Sequence, residues 1–348
     1  MADSYFRCLP KIELHAHLNG SLSAKTLKNL SATEDSIQQY LNNKILDSSA
    51  ATRTLDECFD IFKIAHRLTN NATAVTMATR DVIAEFAADG VIYLELRTTP
   101  RRETGMTKRQ YIDAVIVGIT TSTDANPGID VTLILSLDRT QTMAEASENV
   151  ELALEYGKTC SSIVRGIDVS GDPSRGTWFE ALLKRVRAES NLKITVHCGE
   201  VVNEREIDEI LDFKPDRIGH GTCILPQYGG SERLWQKLQA KNIPVECCLT
   251  SNVKTRTITT YAEHHLKHLI EANHPFTLAT DDKGVFTTSL SHEYAIAAST
   301  FNLETHQLEE LCYKTINYTF LNADEKHKLK TKMQQIFNNK QGNKPCKA

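Results

Sequence analysis

Two histidines one residue apart, His15 and His17, close the apolar run Leu14-His15-Ala16-His17-Leu18. Side chains alternate along a strand, so both rings project to one face. Imidazole suits zinc, and two on one face form a chelating pair. By itself such a pair also arises as two polar residues at a strand end. Three more groups shift that balance: His197-Cys198-Gly199-Glu200, Gly219-His220-Gly221 and Thr280-Asp281-Asp282 each end an apolar run in the same manner. Three histidines and one carboxylate make a zinc site with a position left for water, and a bound metal lowers the pKa of that water to about 7. The chemistry spelled here is hydrolysis. Glu200, three residues after a candidate ligand, is a candidate acid if burial raises its pKa. His220 is a candidate to accept the water proton or to stabilise hydroxide through a hydrogen bond. Their plain alternatives are a solvated loop acid and a polar residue in a Gly-rich turn.

These residues need a scaffold that brings distant strand ends together. Eight β-rich runs alternate with helix-like segments: Ile12–Leu18, Val91–Arg97, Val131–Asp138, Val164–Gly171, Lys193–Glu200, Arg217–Thr222, Ile243–Asn252 and Phe276–Asp282. Most begin apolar and end in ionisable or polar residues, the signature of a barrel whose chemistry gathers at the C-terminal ends of its strands. The expected fold is therefore α/β, a (β/α)8 TIM barrel, with an open α/β sheet as the alternative. Gly-x-Gly-x-x-Gly and P-loop patterns are absent. Between the first two runs lie about 70 residues, far more than a simple connection needs. Ser31–Ala51 is polar and reads as loosely structured. Leu55, Cys58, Phe59, Phe62 and His66 then recur at helical spacing, predicting extra helices over the C-terminal mouth. Residues 1–340 read as a single barrel domain and residues 341–348 as a disordered tail.

The chain has 348 residues, 41% hydrophobic and 24% charged, with a formal net charge of −4. That is ample material for a core, and it argues against general binding of nucleic acid or membrane. No apolar run has transmembrane length and Met1–Pro10 lacks a signal-peptide pattern. The nine cysteines are odd in number and hold no C-x-x-C pair, which points to buried thiols in a reducing, cytoplasmic compartment.

The run P-K-I-E-L-H-A-H-L, the H-x-G-E, the G-H-G, the T-S-N at Thr250–Asn252 and the T-D-D occur in the order and spacing of the adenosine deaminase family of metal-dependent hydrolases. The chain resembles that family over nearly its full length. The resemblance implies one zinc per chain on His15, His17, His197 and Asp281, with Glu200 as proton donor, His220 handling the water and Asp282 contacting the purine. Asp281 and Asp282 are neighbours and cannot both face inward on a regular strand, so only the resemblance assigns one to metal and one to N7. Gly171 would let backbone approach the purine, or simply form a turn. Some related hydrolases hold a second metal on a strand-four lysine; no lysine lies between Lys158 and Lys184. The H-x-E and P-C-x-x-C pattern of cytidine-type deaminases is also missing.

The 5′ end of the substrate is read from departures. Ordinary adenosine deaminases typically carry an acid where this chain has Asn19, in His17-Leu18-Asn19-Gly20. An amide removes a charge that would repel a phosphate and supplies a donor. Strand two then ends Arg97-Thr98-Thr99-Pro100-Arg101-Arg102, whose hydroxyls and guanidinium suit a phosphate, although both terminal arginines could be solvated charges. With Asn19, the phosphate reading is favoured for Arg101. L-N-G-S, T-T-P-R-R and C-L-T-S-N-V-K resemble the adenosine deaminase-like branch that hydrolyses N6-methyl-AMP to IMP and methylamine. That resemblance implies nucleotide contacts from His17, Asn19, His66, Thr98, Thr99, Pro100, Arg101 and Asp138. The plain alternatives are a packed core histidine for His66 and an ion pair with Arg139 for Asp138. His264, His265 and His268 read as an exposed helix rather than a second metal site. The expected partner is a small purine nucleotide bound by a monomer, with neither nucleic acid nor membrane. An adenosine deaminase acting on the nucleoside and a non-catalytic purine-binding protein are the rival readings.

Overall fold

The computed structural model of the chain describes residues 2–32, 34–40 and 55–342. Its eight strands are β1 (Lys11–His17), β2 (Val91–Thr98), β3 (Asp130–Asp138), β4 (Val164–Ser170), β5 (Lys193–Cys198), β6 (Arg217–His220), β7 (Val245–Cys247) and β8 (Phe276–Leu278). They lie in sequence order in one sheet, and each adjacent pair is parallel. Helices cover the outer face, so the strands are buried on both sides and read as apolar runs. β2, for instance, has no exposed residue. The fold is the expected (β/α)8 barrel.

The barrel closes between β1 and the segment just past β8. Ala16 and Asp281 form a parallel bridge. The His17 N–H donates to the Asp281 carbonyl at 3.0 Å and the Asp281 N–H to the His15 carbonyl at 2.8 Å. Closure and chemistry thus share the same residues.

The connecting helices are locally specified. Thr107 with Gln110 and Thr142 with Glu145 form capping boxes that start helices Lys108–Ala125 and Met143–Thr159, pairing backbone donors that a helix start leaves open. The long first connection holds helices Ala24–Leu30, Asp35–Tyr40, Leu55–Leu68 and Ala72–Ala88. Leu55–Leu68 packs against Ala24–Leu30 and against Lys283–Phe286, the short helix directly after Asp282, and so lies over the mouth as expected. The side chains of Leu55, Cys58 and Phe59 and most of Ser31–Ala51 lie outside the described residues, but Asp35–Tyr40 is helical rather than loose. At the other end, helix Ala323–Gly342 takes in the first two residues of the segment read as a disordered tail; residues 343–348 lie outside the described ones.

Two further expectations are corrected. The seventh run does not continue to Asn252: β7 stops at Cys247 and the chain turns at Cys248 into helix Leu249–Lys254. A short run that is buried in either conformation does not reveal such a change of period. His264 and His265 are fully buried rather than exposed. They precede helix Leu266–Glu271, and only His268 of the three is on it and partly open.

Candidate active site

β1 ends inside the barrel with His15 buried and His17 at the mouth. Gly219 on β6 makes room for the first ring, since a Cβ there would come within 2.9 Å of His15 Cε1. β5 supplies His197, whose register neighbour is Gly219. Asp281 and Asp282 are both buried because regular strand ends at Leu278 and Asp281 takes a left-handed backbone, φ +58°. That turn resolves how two adjacent aspartates face one site. His220 is likewise left-handed, φ +62°. Non-glycine residues held there cost about 1 kcal/mol or more each and persist where surroundings enforce them.

The donor atoms converge. His17 Nε2 lies 3.1 Å from His197 Nε2, and Asp281 Oδ1 lies 3.3 Å from His15 Nε2 and 3.4 Å from His17 Nε2. Ligands about 2.0–2.1 Å from a tetrahedral zinc stand about 3.3 Å apart, so this spacing fits a metal. His15, His197, His220 and Asp281 also present one atom each within 4.8 Å of one another. However, His220 Nε2 is 4.0 Å from Asp281 Oδ2, a looser fit than His17 offers. The other ring nitrogens are tied back: His15 Nδ1 to Glu246 at 2.7 Å and His197 Nδ1 to Asp168 at 3.1 Å. Carboxylates there keep each proton on Nδ1 and aim the Nε2 lone pair at the cluster. Ser251 donates to Asp281 Oδ2 at 2.7 Å and so orients the carboxylate.

Beneath this cluster lies a charged lattice that the sequence reading missed. Arg97 Nη2 pairs with Glu246 at 2.9 Å and its Nη1 with Asp168 at 3.3 Å. Arg217 contacts Glu95 and Glu246 at 2.6 Å each. All five side chains are fully buried. Burial would raise the pKa of Glu246, but Arg97 and Arg217 outweigh it and hold the carboxyl well below its usual range. Burial also opposes ionisation of Asp168, and His197 and Arg97 prevail. Both acids stay ionised and able to accept from the histidines. The available signal was charge within otherwise apolar strand runs.

Around the cluster, Glu200 Oε1 stands 3.6 Å from His220 Nε2. Burial pushes His220 toward its neutral form. Asp282 Oδ1 is buried without a protein partner, and its pKa is raised by burial and then by neighbouring Asp281. A Cβ at Gly20 would overlap that carboxylate, at 1.6 Å from Oδ1. Gly171 has φ +102°, and a Cβ there would meet Asp138 Oδ1 at 2.8 Å. The residue suits both the turn and a close approach.

The 5′-end residues form a second cluster. Arg101 Nη2 donates to the Thr69 carbonyl at 2.7 Å and to Thr69 Oγ1 at 2.6 Å, and Nε contacts Glu103 at 2.9 Å. Its guanidinium lies over the Tyr111 ring, 4.8 Å from the centroid. Nη1 is buried with no partner. Tyr111 Oη is 2.7 Å from Thr98 Oγ1 and accepts from Asn19 Nδ2 at 3.5 Å, while Thr69 donates to Asn19 Oδ1 at 3.3 Å. Thr99 is half-buried beside buried Pro100. Arg102 pairs with Glu148 at the surface. His66 is solvent-facing rather than a packed core residue. Asp138 accepts from Thr140, and Arg139 pairs with Glu206 at 2.6 Å, so the Asp138–Arg139 ion pair does not form.

Residues 10–336 match the family model described as adenosine deaminase. The N6-methyl-AMP deaminase of Homo sapiens is 43% identical over 338 residues, 95% of this chain and 94% of that protein. The N6-methyl-AMP deaminase-L of Xenopus laevis is 44% identical over 332 residues, 94% of each. The crystal structure of Arabidopsis ADAL complexed with IMP superposes with a TM-score of 0.85 at 39% identity, covering 97% of this chain and 99% of that one. A barrel matched along its length, with its strand ends carrying this donor set, is a deaminase, and the chain belongs to the adenosine deaminase family.

Proposed function

We propose that this protein hydrolyses N6-methyl-AMP to IMP and methylamine with one zinc per chain, held by His15, His17, His197 and Asp281. The observation that carries the nucleotide reading is Arg101. Its guanidinium is fixed by Thr69, Glu103 and Tyr111 yet keeps a buried Nη1 without a partner. Such a donor is costly unless a ligand satisfies it. Asn19 beside it presents an amide where a carboxylate would repel a phosphate. His66, Thr98, Thr99 and Pro100 complete that end, and Asp138 beside Gly171 is placed for a ribose hydroxyl.

Zinc, when bound, supplies Lewis acidity and lowers the pKa of a water ligand to about 7. The chain's own residues do the rest. Glu200 gives a proton to N1 as oxygen adds to C6, offsetting the lost aromaticity. Asp282 in its protonated form donates to N7. His220 orients the attacking oxygen. The O–C6 bond forms, the C6–N6 bond breaks, one water proton reaches N1 through Glu200, and methylamine leaves with the other. The names of the relatives support this substrate. Cys198, Cys223, Cys247 and Cys248, all buried thiols, support a reducing, cytoplasmic setting, and no helix among the described residues is long and apolar enough to cross a membrane. A single domain over residues 1–340, acting as a monomer on a free nucleotide and not on nucleic acid, completes the reading.

The test is kcat/KM for N6-methyl-AMP, AMP, N6-methyladenosine and adenosine on one preparation of measured metal content. Preference for N6-methyl-AMP with about one zinc per chain is expected. Preference for adenosine overturns the phosphate site, and inactivity on all four overturns the catalytic reading.

A further inference from the structure

Beside an attacking oxygen, an imidazole such as His220 serves either as proton acceptor or as hydrogen-bond donor. A chain of buried polar groups behind it decides. Its anchor is the backbone N–H of Leu266, which donates to His264 Nδ1 at 3.1 Å. A backbone N–H has no other role, so His264 Nδ1 is unprotonated, and a neutral imidazole then carries its proton on Nε2. His264 Nε2 lies 3.1 Å from Asn252 Oδ1 and donates to it. That fixes the amide, whose nitrogen donates to His220 Nδ1 at 3.0 Å. The reversed amide would place two donors on His264, one at each nitrogen, which a neutral ring cannot accept. His220 Nδ1 is therefore unprotonated as well, and its proton sits on Nε2.

We infer that His264 and Asn252 are positioning residues that lock His220 in the Nε2–H tautomer, so that His220 faces the reaction as a hydrogen-bond donor. The lock is rigid. His264 and Asn252 are buried, and the His264 ring stacks on His265 with centroids 4.3 Å apart. His220 Nε2 is itself buried without a hydrogen-bond partner, pointing between Glu200 and Asp281, 3.6 and 4.0 Å away. With its proton on Nε2, His220 offers no lone pair to a metal or to the proton of the attacking water. It can only hold that oxygen in place by donating to it. His220 is thereby excluded from the metal set and His17 retained. The proton balance of deamination falls to Glu200. Its carboxylate takes one proton from the attacking water and delivers it to N1, then takes the second from the new C6 hydroxyl and passes it to the departing amine.

The tautomer rests on the hydrogen bonds alone; its role in turnover rests on the deaminase reading. The two are tested separately. Two-bond 1H–15N correlation spectra of the zinc-loaded full chain, labelled at histidine, report which nitrogen carries the proton. His220→Gln and His264→Gln identify the signals by their loss. Unprotonated Nδ1 at both residues is expected; a protonated Nδ1 on His220 overturns the inference without any reference to activity. Asn252→Asp accepts from both rings and forces the His220 proton onto Nδ1. It is expected to lower kcat about a hundredfold, the worth of one lost donor at a reacting oxygen, with metal content and KM little changed. His264→Gln, whose amide can still donate to Asn252, retains turnover within a few-fold. His264→Phe loses at least about tenfold, one misplaced hydrogen bond to a reacting group. Wild-type turnover in either Asn252→Asp or His264→Phe overturns the positioning role. The expected spectrum from a wild-type protein inactive on every purine would overturn the deaminase reading and leave the tautomer standing.

Discussion

At the scale of single residues, function here depends on which atoms are left without a protein partner. Glu200 stands beside the His220 ring with its carboxyl partly open, where a purine edge would meet it. Glu200→Gln keeps the shape and removes the transferable proton. We expect it to retain zinc, measured by metal analysis, and to lose about 10²–10⁴ in kcat, the range for general acid–base catalysis. Turnover near wild type would remove Glu200 as proton donor. Arg101→Ala deletes the unpartnered Nη1 along with its supports. It should lower kcat/KM for N6-methyl-AMP by about 10- to 100-fold, as expected for a hydrogen bond to a charged group, while changing the nucleoside rate far less. Equal losses on both would sink the phosphate cradle. That His15, His17, His197, Glu200, His220 and Asp281 gather at one end of the barrel was legible because ionisable residues at strand ends are conspicuous. Glu246, Asp168 and His264 were not, because their contribution is to hold another ring, and the contacts that do so span the barrel.

At the scale of elements, helix Leu290–Phe301 buries Glu293, whose carboxylate accepts the Thr250 N–H at 3.1 Å. It thereby pins the start of helix Leu249–Lys254, which carries Ser251 to Asp281 and Asn252 to His220. Burial raises the Glu293 pKa from 4.5 to about 7. Below pH 4.5 both folded and unfolded chains hold the proton. Between 4.5 and 7 the unfolded chain releases it first, so stability is lost as pH rises, by roughly 3 kcal/mol in all. Glu293→Gln should abolish that part of the slope, measured as denaturation midpoints at pH 5 and pH 8. An unchanged slope would show that Glu293 takes up no proton on folding. The eight-run pattern gave six of the strands nearly to the residue. It overran the eighth, where strand ends at Leu278 rather than Asp282, and the seventh, where residues 249–252 are buried in a helix as they would be in a strand.

For the molecule as a whole, the barrel interior is a packed charge lattice with the site built on top of it. Two guanidinium groups, Arg97 and Arg217, sit among Glu95, Asp168 and Glu246. Buried pairs add little net stability, but removing one partner leaves a charge stranded. Arg217→Met strands Glu95, leaves Glu246 to Arg97 alone, and should destabilise the fold by about 3–5 kcal/mol, read from urea denaturation. Adding Glu95→Gln to it should recover part of the loss. Additive losses in the double variant would mean that the two residues do not act as a pair.

What the sequence by itself determined is which ionisable side chains stand at the strand ends, the parallel barrel that gathers them and the family they resemble, because strand alternation and strand-end polarity are local properties. Only the tertiary structure decided how those groups are poised. The left-handed turn at Asp281 brings two adjacent aspartates to one site. His264 and His265, polar and flanked by Glu263 and Lys267, are buried. The backbone N–H of Leu266 sets, through two side chains, the proton on His220. Each of these depends on contacts between segments distant in the chain or on the backbone path itself, and no residue type or spacing encodes that geometry.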